Sequence, residues 1–439
     1  MTHFQTLQPE LTEHSLNLVQ QLSDNVQGFK SVFSCNGAVT PQHLKLFYKE
    51  KSPSTKVYAQ SFPCSGEALE PLLNLCEPAT FGKGHETVLD KDYRNALHLD
   101  PSKFGLNFMP SQFGILEQVR RYMMPSNVGI RDELYKLNIY GPGGHFKSHV
   151  DTPRDGGMFG SLVVCFPVEF EGGQLVVQHK QTQNTFDWSS RGAPQNADVQ
   201  WAAFFADCEH KILPVTSGYR LTLTYNLYTM ENDRNVGDSI SGFSSESTAF
   251  HQTLASSIVD PHFMENGGIL GFGLQHAYPI KDEPEFSTKF DKILKGTDAM
   301  IYVVAKKLGL TVSVLPVYPY DAEESGIYDN DNVFEGKIPK RSKRIYFTSP
   351  GCFPRKGEDI CWEYLNFSEP EVIISHFDGH NRTDITWCVL PNTLIESNTY
   401  FAFGNDGCMN AVYVGAVMLI TIPPLGAECR QEVTKPSTD

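Results

Sequence analysis

The sequence predicts an α+β protein, mainly β at its centre: a strand sandwich or barrel with flanking helices, followed by a second α+β domain. Two observations carry this. Between Leu134 and Tyr228 the segments "LYKLNIY", "SLVVCFPV", "QLVVQHK", "VQWAAFFAD", "HKILPV" and "YRLTLTYNLY" follow one another closely, separated by "GPGG", "EGG", "RGAPQN" and "TSG". Short apolar strands joined by Gly and Pro turns are the signature of a sandwich or barrel. The polar stretch Thr229–Ser247 then reads as a linker, and a chain of 439 residues is too long for one small core. The expected division is 1–230 for a helical lead-in plus β domain (core about 134–228), and 248–430 for an α+β domain with no assigned role.

Each element has its own reason. Leu16, Val19, Leu22 and Val26 recur near helical spacing, so residues 10–26 read as an amphipathic helix. "GILEQVRRYMM" (Gly114–Met124) is a second. "ATFGKGHETVLDKDYR" (Ala79–Arg94) is rich in turn residues and reads as an irregular insert. Beyond the linker, "FDKILKGTDAMIYVVAKKLG" reads as a helix closing at Gly309. Asp321–Asn332 is an acidic surface loop. "DITWCVLP", "TYFAF" and "AVYVGAVMLITIPP" are late strands. The last of these holds the longest apolar run, Tyr413–Pro424, which is too short and too β-branched for a membrane span.

Composition excludes several classes. A formal charge of -15 disfavours nucleic acid as a partner, because binding phosphates needs clustered Lys and Arg. The longest basic run, Lys340–Arg344, reads as a solvated loop. Ten cysteines without a CxxC pair favour reduced thiols over a disulfide scaffold or zinc site. The N-terminus lacks a basic start followed by an apolar core. The expected location is therefore intracellular, in the cytoplasm, with no membrane partner. The sequons at Asn366 and Asn381 are then chance.

The chemistry concentrates in "GGHFKSHVDTPR". Side chains at i and i+2 of a strand share a face, so His149 and Asp151 can address one point. A third ligand is expected from a neighbouring strand, and His210 in "FFADCEHKILPV" is the candidate. Two imidazoles and one carboxylate on one side of a metal leave other positions open, the arrangement of non-haem Fe(II) oxygenases. Ten residues later comes Arg220, an always-charged fork suited to a carboxylate. Thr222 shares its strand face and adds a hydroxyl. Lys136, Asn138 and Tyr140 form a polar face, which points to a lined cavity. His145 and His179 are rival ligands, on a turn and at a strand end. Trp188 and Trp201 read as packing, and His276 as structural. Gly143 and Gly144 would keep the approach to the metal clear, and the loops 79–94 and 153–159 are candidates for a lid.

These motifs resemble the 2-oxoglutarate/Fe(II)-dependent dioxygenases, in the prolyl 4-hydroxylase-like branch. "IYGPGGHFKSHVD" is similar to that branch's tyrosine–glycine turn leading into HxD. "EGGQLVV" is similar to its next hairpin, and "CEHKILPVTSGYRLTLTY" to its distal histidine and basic residue. The resemblance implies a double-stranded β-helix (jelly-roll, cupin-like) core, with His149, Asp151 and His210 as catalytic metal ligands. It implies that Arg220 grips the far carboxylate of 2-oxoglutarate and that Tyr140 hydrogen-bonds it. Fe(II), 2-oxoglutarate and O2 are the implied cofactors, with ascorbate as an accessory reductant. The implied reaction hydroxylates a C–H bond of a protein, peptide or small-molecule substrate and releases succinate and CO2. Two departures stand out: Phe146 replaces a second tyrosine, and Arg220 stands where collagen-type enzymes use lysine. Two other functions compete. One is a catalytically silent jelly-roll that serves as a binding scaffold. The other is a metal-dependent cupin-type hydrolase or isomerase, which would not require Arg220.

Overall fold

The computed structural model describes residues 11–49, 56–83, 86–124, 129–152, 157–189, 198–230, 245–281, 293–320, 344–347, 374–376, 385–390, 402–403, 411–427 and 430. The acidic loop Asp321–Asn332, both sequons and most of the linker lie outside them. The chain divides into two compact units. One is Val32–Gly242 with Glu396–Ala411; the other is Met1–Ser31, Phe243–Ile395 and Val412–Asp439.

The first unit is a double-stranded β-helix. Its larger sheet runs Ser34–Val39, Val199–Phe205, Met158–Cys165, Arg220–Thr229, Ile130–Tyr140, Leu97–Leu99, Glu77–Pro78, every pair antiparallel. The smaller sheet runs Thr182–Phe186, Leu175–His179, Glu209–Ile212, His145–His149, Arg94–Asn95. One apolar core takes Leu137, Ile139, Leu162 and Val164 from the first sheet, and Phe146, Leu175, Val177 and Ile212 from the second. Met158–Cys165 is buried at every position, as expected of a central strand covered on both faces. The helix Ile115–Met123 buries Ile115, Val119 and Met123 in the same core.

One expectation changes here. The segment 79–94 is not irregular. Phe81–Lys83 and Glu86–Val88 form a hairpin, Phe81–Lys83 also pairs with Ala402–Phe403, and Arg94–Asn95 joins the smaller sheet. Turn residues disguised strands too short to show an alternating pattern. Gly143 has a further reason to be glycine. Its φ of +77° is a conformation that L side chains rarely adopt, whereas a Cβ on Gly144 would lie 2.7 Å from the Gly141 oxygen. Most of 153–159 lies outside the described residues.

The N-terminal helix also departs from the expected 1–230 division. Glu13–Gly28 is capped by Thr12, whose hydroxyl accepts from the Ser15 N–H. Its stripe Val19, Leu22 and Val26 packs into a cluster with Phe250, Leu254 and Ile258 of helix Ala249–Val259, within the second unit. Asn25 fixes that pairing by donating to Thr253 Oγ1 at 2.8 Å. An apolar stripe requires a cover, and sequence order does not say which.

The second unit is α+β, as expected. Its sheet runs Ile374–His376, Arg344–Phe347, Thr311–Tyr320, Ala411–Ile422, Gly268–Gly273, Ile385–Val389. Helix Gly296–Lys307 starts later than the reading from Phe290, because Lys295 is extended and Gly296 has φ +48°. Its Asp298 is fully buried and accepts from the Gln275 and His276 N–H groups and from the Tyr278 hydroxyl. Burial raises that carboxyl above the usual range. Among the described residues, no helix is long and apolar enough to cross a membrane.

Candidate active site

The site is built where the smaller sheet meets the start of Met158–Cys165. His149 ends the strand His145–His149, and its Cα partner across the ladder is His210. Their ring centroids lie 4.1 Å apart. Asp151 is not on the strand. It sits two residues past the last ladder position, anchored by its N–H to the Ala206 oxygen at 3.1 Å. The bend still delivers the carboxylate: Asp151 Oδ1 is 3.8 Å from His210 Nε2. All three side chains are buried.

Second contacts orient each donor. His149 Nδ1 lies 2.7 Å from the Lys147 oxygen and His210 Nδ1 lies 3.0 Å from the Cys208 oxygen. A carbonyl can only accept, so both Nδ1 atoms carry a proton, and Nε2 is the ring nitrogen left to bind a metal. Ser161, from the larger sheet, donates to Asp151 Oδ2 at 2.7 Å and leaves Oδ1 toward His210. Burial, with His210 alongside, drives the His149 imidazole well below its ordinary pKa, so it is neutral. Two imidazoles and one carboxylate suit Fe(II). The 3.8 Å separation is less than twice a metal–ligand bond of about 2 Å, so one ion can reach both atoms. Asp151 Oδ1 and His210 Nε2 are thus placed to share a metal, with the His149 imidazole beside them.

Arg220, Tyr140 and Thr222 come together on one strand pair. Arg220 opens Arg220–Thr229, Tyr140 closes Ile130–Tyr140, and the two are direct Cα partners. Arg220 is 1% exposed, yet its Nε and Nη2 have no hydrogen-bond partner among the described residues. The guanidinium lies 5.6 Å from the Tyr140 ring and 5.3 Å from the Trp188 ring. A buried cation with open donors is costly alone and matches an incoming carboxylate. Gly173, at φ +65°, makes room: a Cβ there would lie 3.0 Å from Arg220 Cδ. The Thr222 hydroxyl is turned toward the Asn138 oxygen at 3.5 Å.

The rival ligands are placed elsewhere. His145 bridges the Gly143 and Asp92 oxygens at 3.0 and 3.1 Å. The His179 ring lies against Phe33 at 5.8 Å. Sequence reasoning passed over Ser161, Arg94 and the role of Trp188 beside Arg220. A serine inside the apolar run "FGSLVV" was the available signal for the first. Arg94 lay in a segment read as irregular.

Residues 135–228 match the model of the 2OG-Fe(II) oxygenase superfamily. That segment, which carries His149, Asp151, His210 and Arg220, is similar to the superfamily. A Pseudomonas putida prolyl-4-hydroxylase is similar at 13% identity and TM-score 0.28, over 48% of this chain and 100% of that one. A Trichoplax adhaerens prolyl hydroxylase, solved with a hypoxia inducible factor peptide fragment, has 16% identity and TM-score 0.27, over 50% and 94%. The collagen prolyl hydroxylase of Paramecium Bursaria Chlorella virus-1 has 15% identity and TM-score 0.22, over 31% and 81%. Comparison with curated protein sequences gives no match.

Proposed function

We propose that the chain is a 2-oxoglutarate- and Fe(II)-dependent dioxygenase. It would hydroxylate a C–H bond of a prolyl or other amino-acyl side chain, or of a small molecule, releasing succinate and CO2. The observation that supports this best is Arg220, a buried guanidinium with two donors unpartnered among the described residues, in the same β unit as His149, Asp151 and His210. His149 Nε2, Asp151 Oδ1 and His210 Nε2 would hold the Fe(II). Bound there, Fe(II) with 2-oxoglutarate and O2 supplies the oxidising power for hydroxylation. The chain's own residues bind, orient and exclude water. Arg220 binds the distal carboxylate through Nε and Nη2, Tyr140 and Trp188 wall the cationic end, and Ser161 holds Asp151. The buried apolar surround strengthens these contacts by keeping water out. The substrate class rests on the motif likeness of Tyr140–Asp151.

Neither a silent scaffold nor a cupin-type hydrolase requires an open buried arginine. The test is succinate formation by the purified full chain supplied with Fe(II), ascorbate and 2-oxoglutarate. Arg220→Ala is expected to reduce succinate formation at least a hundredfold at equal metal content. Unchanged turnover in Arg220→Ala would remove the 2-oxoglutarate assignment.

A further inference from the structure

Arg94 is almost wholly buried, at 2% exposure, and no part of the motif reading uses it. Its Nη1 donates to the Thr80 oxygen at 2.5 Å and its Nη2 to Asn138 Oδ1 at 2.8 Å. Asn138 lies on Ile130–Tyr140, two residues before Tyr140, and its Nδ2 donates to Thr224 Oγ1 at 3.2 Å, on the strand that begins with Arg220. The guanidinium centre stands 4.4 Å from the centroid of Phe146. Phe146 in turn stacks on the His149 imidazole, centroids 3.5 Å apart and planes 18° from parallel. Guanidinium, phenyl and imidazole therefore form one continuous pile.

Resting on the oxygenase reading above, we propose that Arg94 and Phe146 are positioning residues. Together they hold the His149 ring in its metal-binding orientation and tie it to the strand pair that carries Arg220. The hydrogen bond from His149 Nδ1 to the Lys147 oxygen constrains one edge of the imidazole, and a ring held at one edge can still rotate about that contact. The face contact with Phe146 removes this freedom. Phe146 is itself held by a cation attracted to its ring face, and that cation is locked by hydrogen bonds to Thr80 and to Asn138 on the strand Ile130–Tyr140. The neighbouring aromatics hold the pile laterally: Phe81 stacks on Tyr93 at 4.5 Å, Tyr93 meets Phe146 edge-on at 6.2 Å, and the Tyr93 hydroxyl donates to the Ser148 oxygen. The segment 79–94 is on this account a fixed wall of the metal site and not a lid.

The test uses the full metal-free chain and Co(II) as probe. Affinity and the visible ligand-field bands are read in the wild type, Phe146→Tyr, Phe146→Leu and Arg94→Met, with His149→Ala as the site control. Wild type and Phe146→Tyr are expected to bind alike, since both keep a ring. Phe146→Leu and Arg94→Met are expected to bind at least tenfold more weakly with displaced bands, while the metal-free unfolding temperature of Phe146→Leu stays near that of the wild type. The proposal is overturned if both variants match the wild type in affinity and bands. It is also overturned if Phe146→Leu loses Co(II) only together with its fold, or if Phe146→Tyr is as impaired as Phe146→Leu. Should Arg94→Met not fold, the Phe146 pair decides. A wild type that binds no Co(II), or a His149→Ala that binds it equally, removes the underlying oxygenase reading instead.

Discussion

At the scale of single residues, function rests on a few buried polar groups held by second contacts. Ser161 is the clearest case, since its hydroxyl donates to the Asp151 carboxylate oxygen turned away from His210. Ser161→Ala is expected to weaken metal binding about tenfold or more by freeing the carboxylate to rotate, with little change in the unfolding temperature. Metal titration against thermal unfolding separates the two effects. Gly173→Ala should act on the other half of the site. A left-handed backbone and a Cβ 3.0 Å from Arg220 Cδ force the guanidinium to shift, so affinity for 2-oxoglutarate falls while metal affinity holds. Equal loss of both would show a general collapse. The thiols supply a pH prediction. Burial pushes Cys35 up to about 12, and Cys64 and Cys165 up to about 11. A thiol pKa raised in the fold means the unfolded chain releases its proton first. That contribution to stability is intact below about pH 8.5 and is lost as pH rises toward the folded values. Unfolding temperatures followed from pH 8 to 10.5 should fall, and Cys165→Ala should flatten the decline.

At the scale of elements, what was legible followed the strength of the local pattern. The central strands were readable because alternating or continuous apolar runs between Gly and Pro turns have few other interpretations. His149, His210, Arg220 and Tyr140 were readable for the same reason: each sits on, or at the end of, such a strand. Asp151 reached its place by a bend past the strand end, which the i, i+2 argument did not foresee. The strands within 79–94 were not readable. They are two or three residues long, and tertiary partners, not local propensity, make them strands. Arg94 and its stack on Phe146 were hidden with them. Element ends in the second unit depend on Arg430, which is 3% exposed. Its guanidinium donates to the oxygens of Ile258, Met264, Pro423 and Phe263, gathering a helix end, a turn and a strand end. Arg430→Met leaves those carbonyls unpaired and should cost roughly 2–4 kcal/mol. The shift in urea midpoint measures it, and a change below about 0.5 kcal/mol would contradict this role.

At the scale of the whole molecule, the division into units was the least legible feature. The helix Glu13–Gly28 belongs by packing to the unit that resumes at Phe243, and Ala402–Phe403 returns to the β-helix unit. Hydrophobic periodicity shows that a face is covered but not by which distant segment, so a contiguous boundary near 230 was the natural reading of the sequence and not the one the fold adopts. The oxygenase motif accordingly lies in one discontinuous unit, and the account predicts that metal and cosubstrate binding need that unit alone to be intact. Its central claim is that His149, Asp151, His210 and Arg220 form one site for Fe(II) and 2-oxoglutarate. The most direct measurement is an anaerobic titration of the metal-free full chain with Fe(II) and then 2-oxoglutarate, following the visible charge-transfer band of the chelate. The account predicts a saturable band in the wild type, none in His149→Ala, and a band in Arg220→Ala only at much higher 2-oxoglutarate. A wild type that binds Fe(II) but gives no band, or an Arg220→Ala that saturates like the wild type, would contradict it.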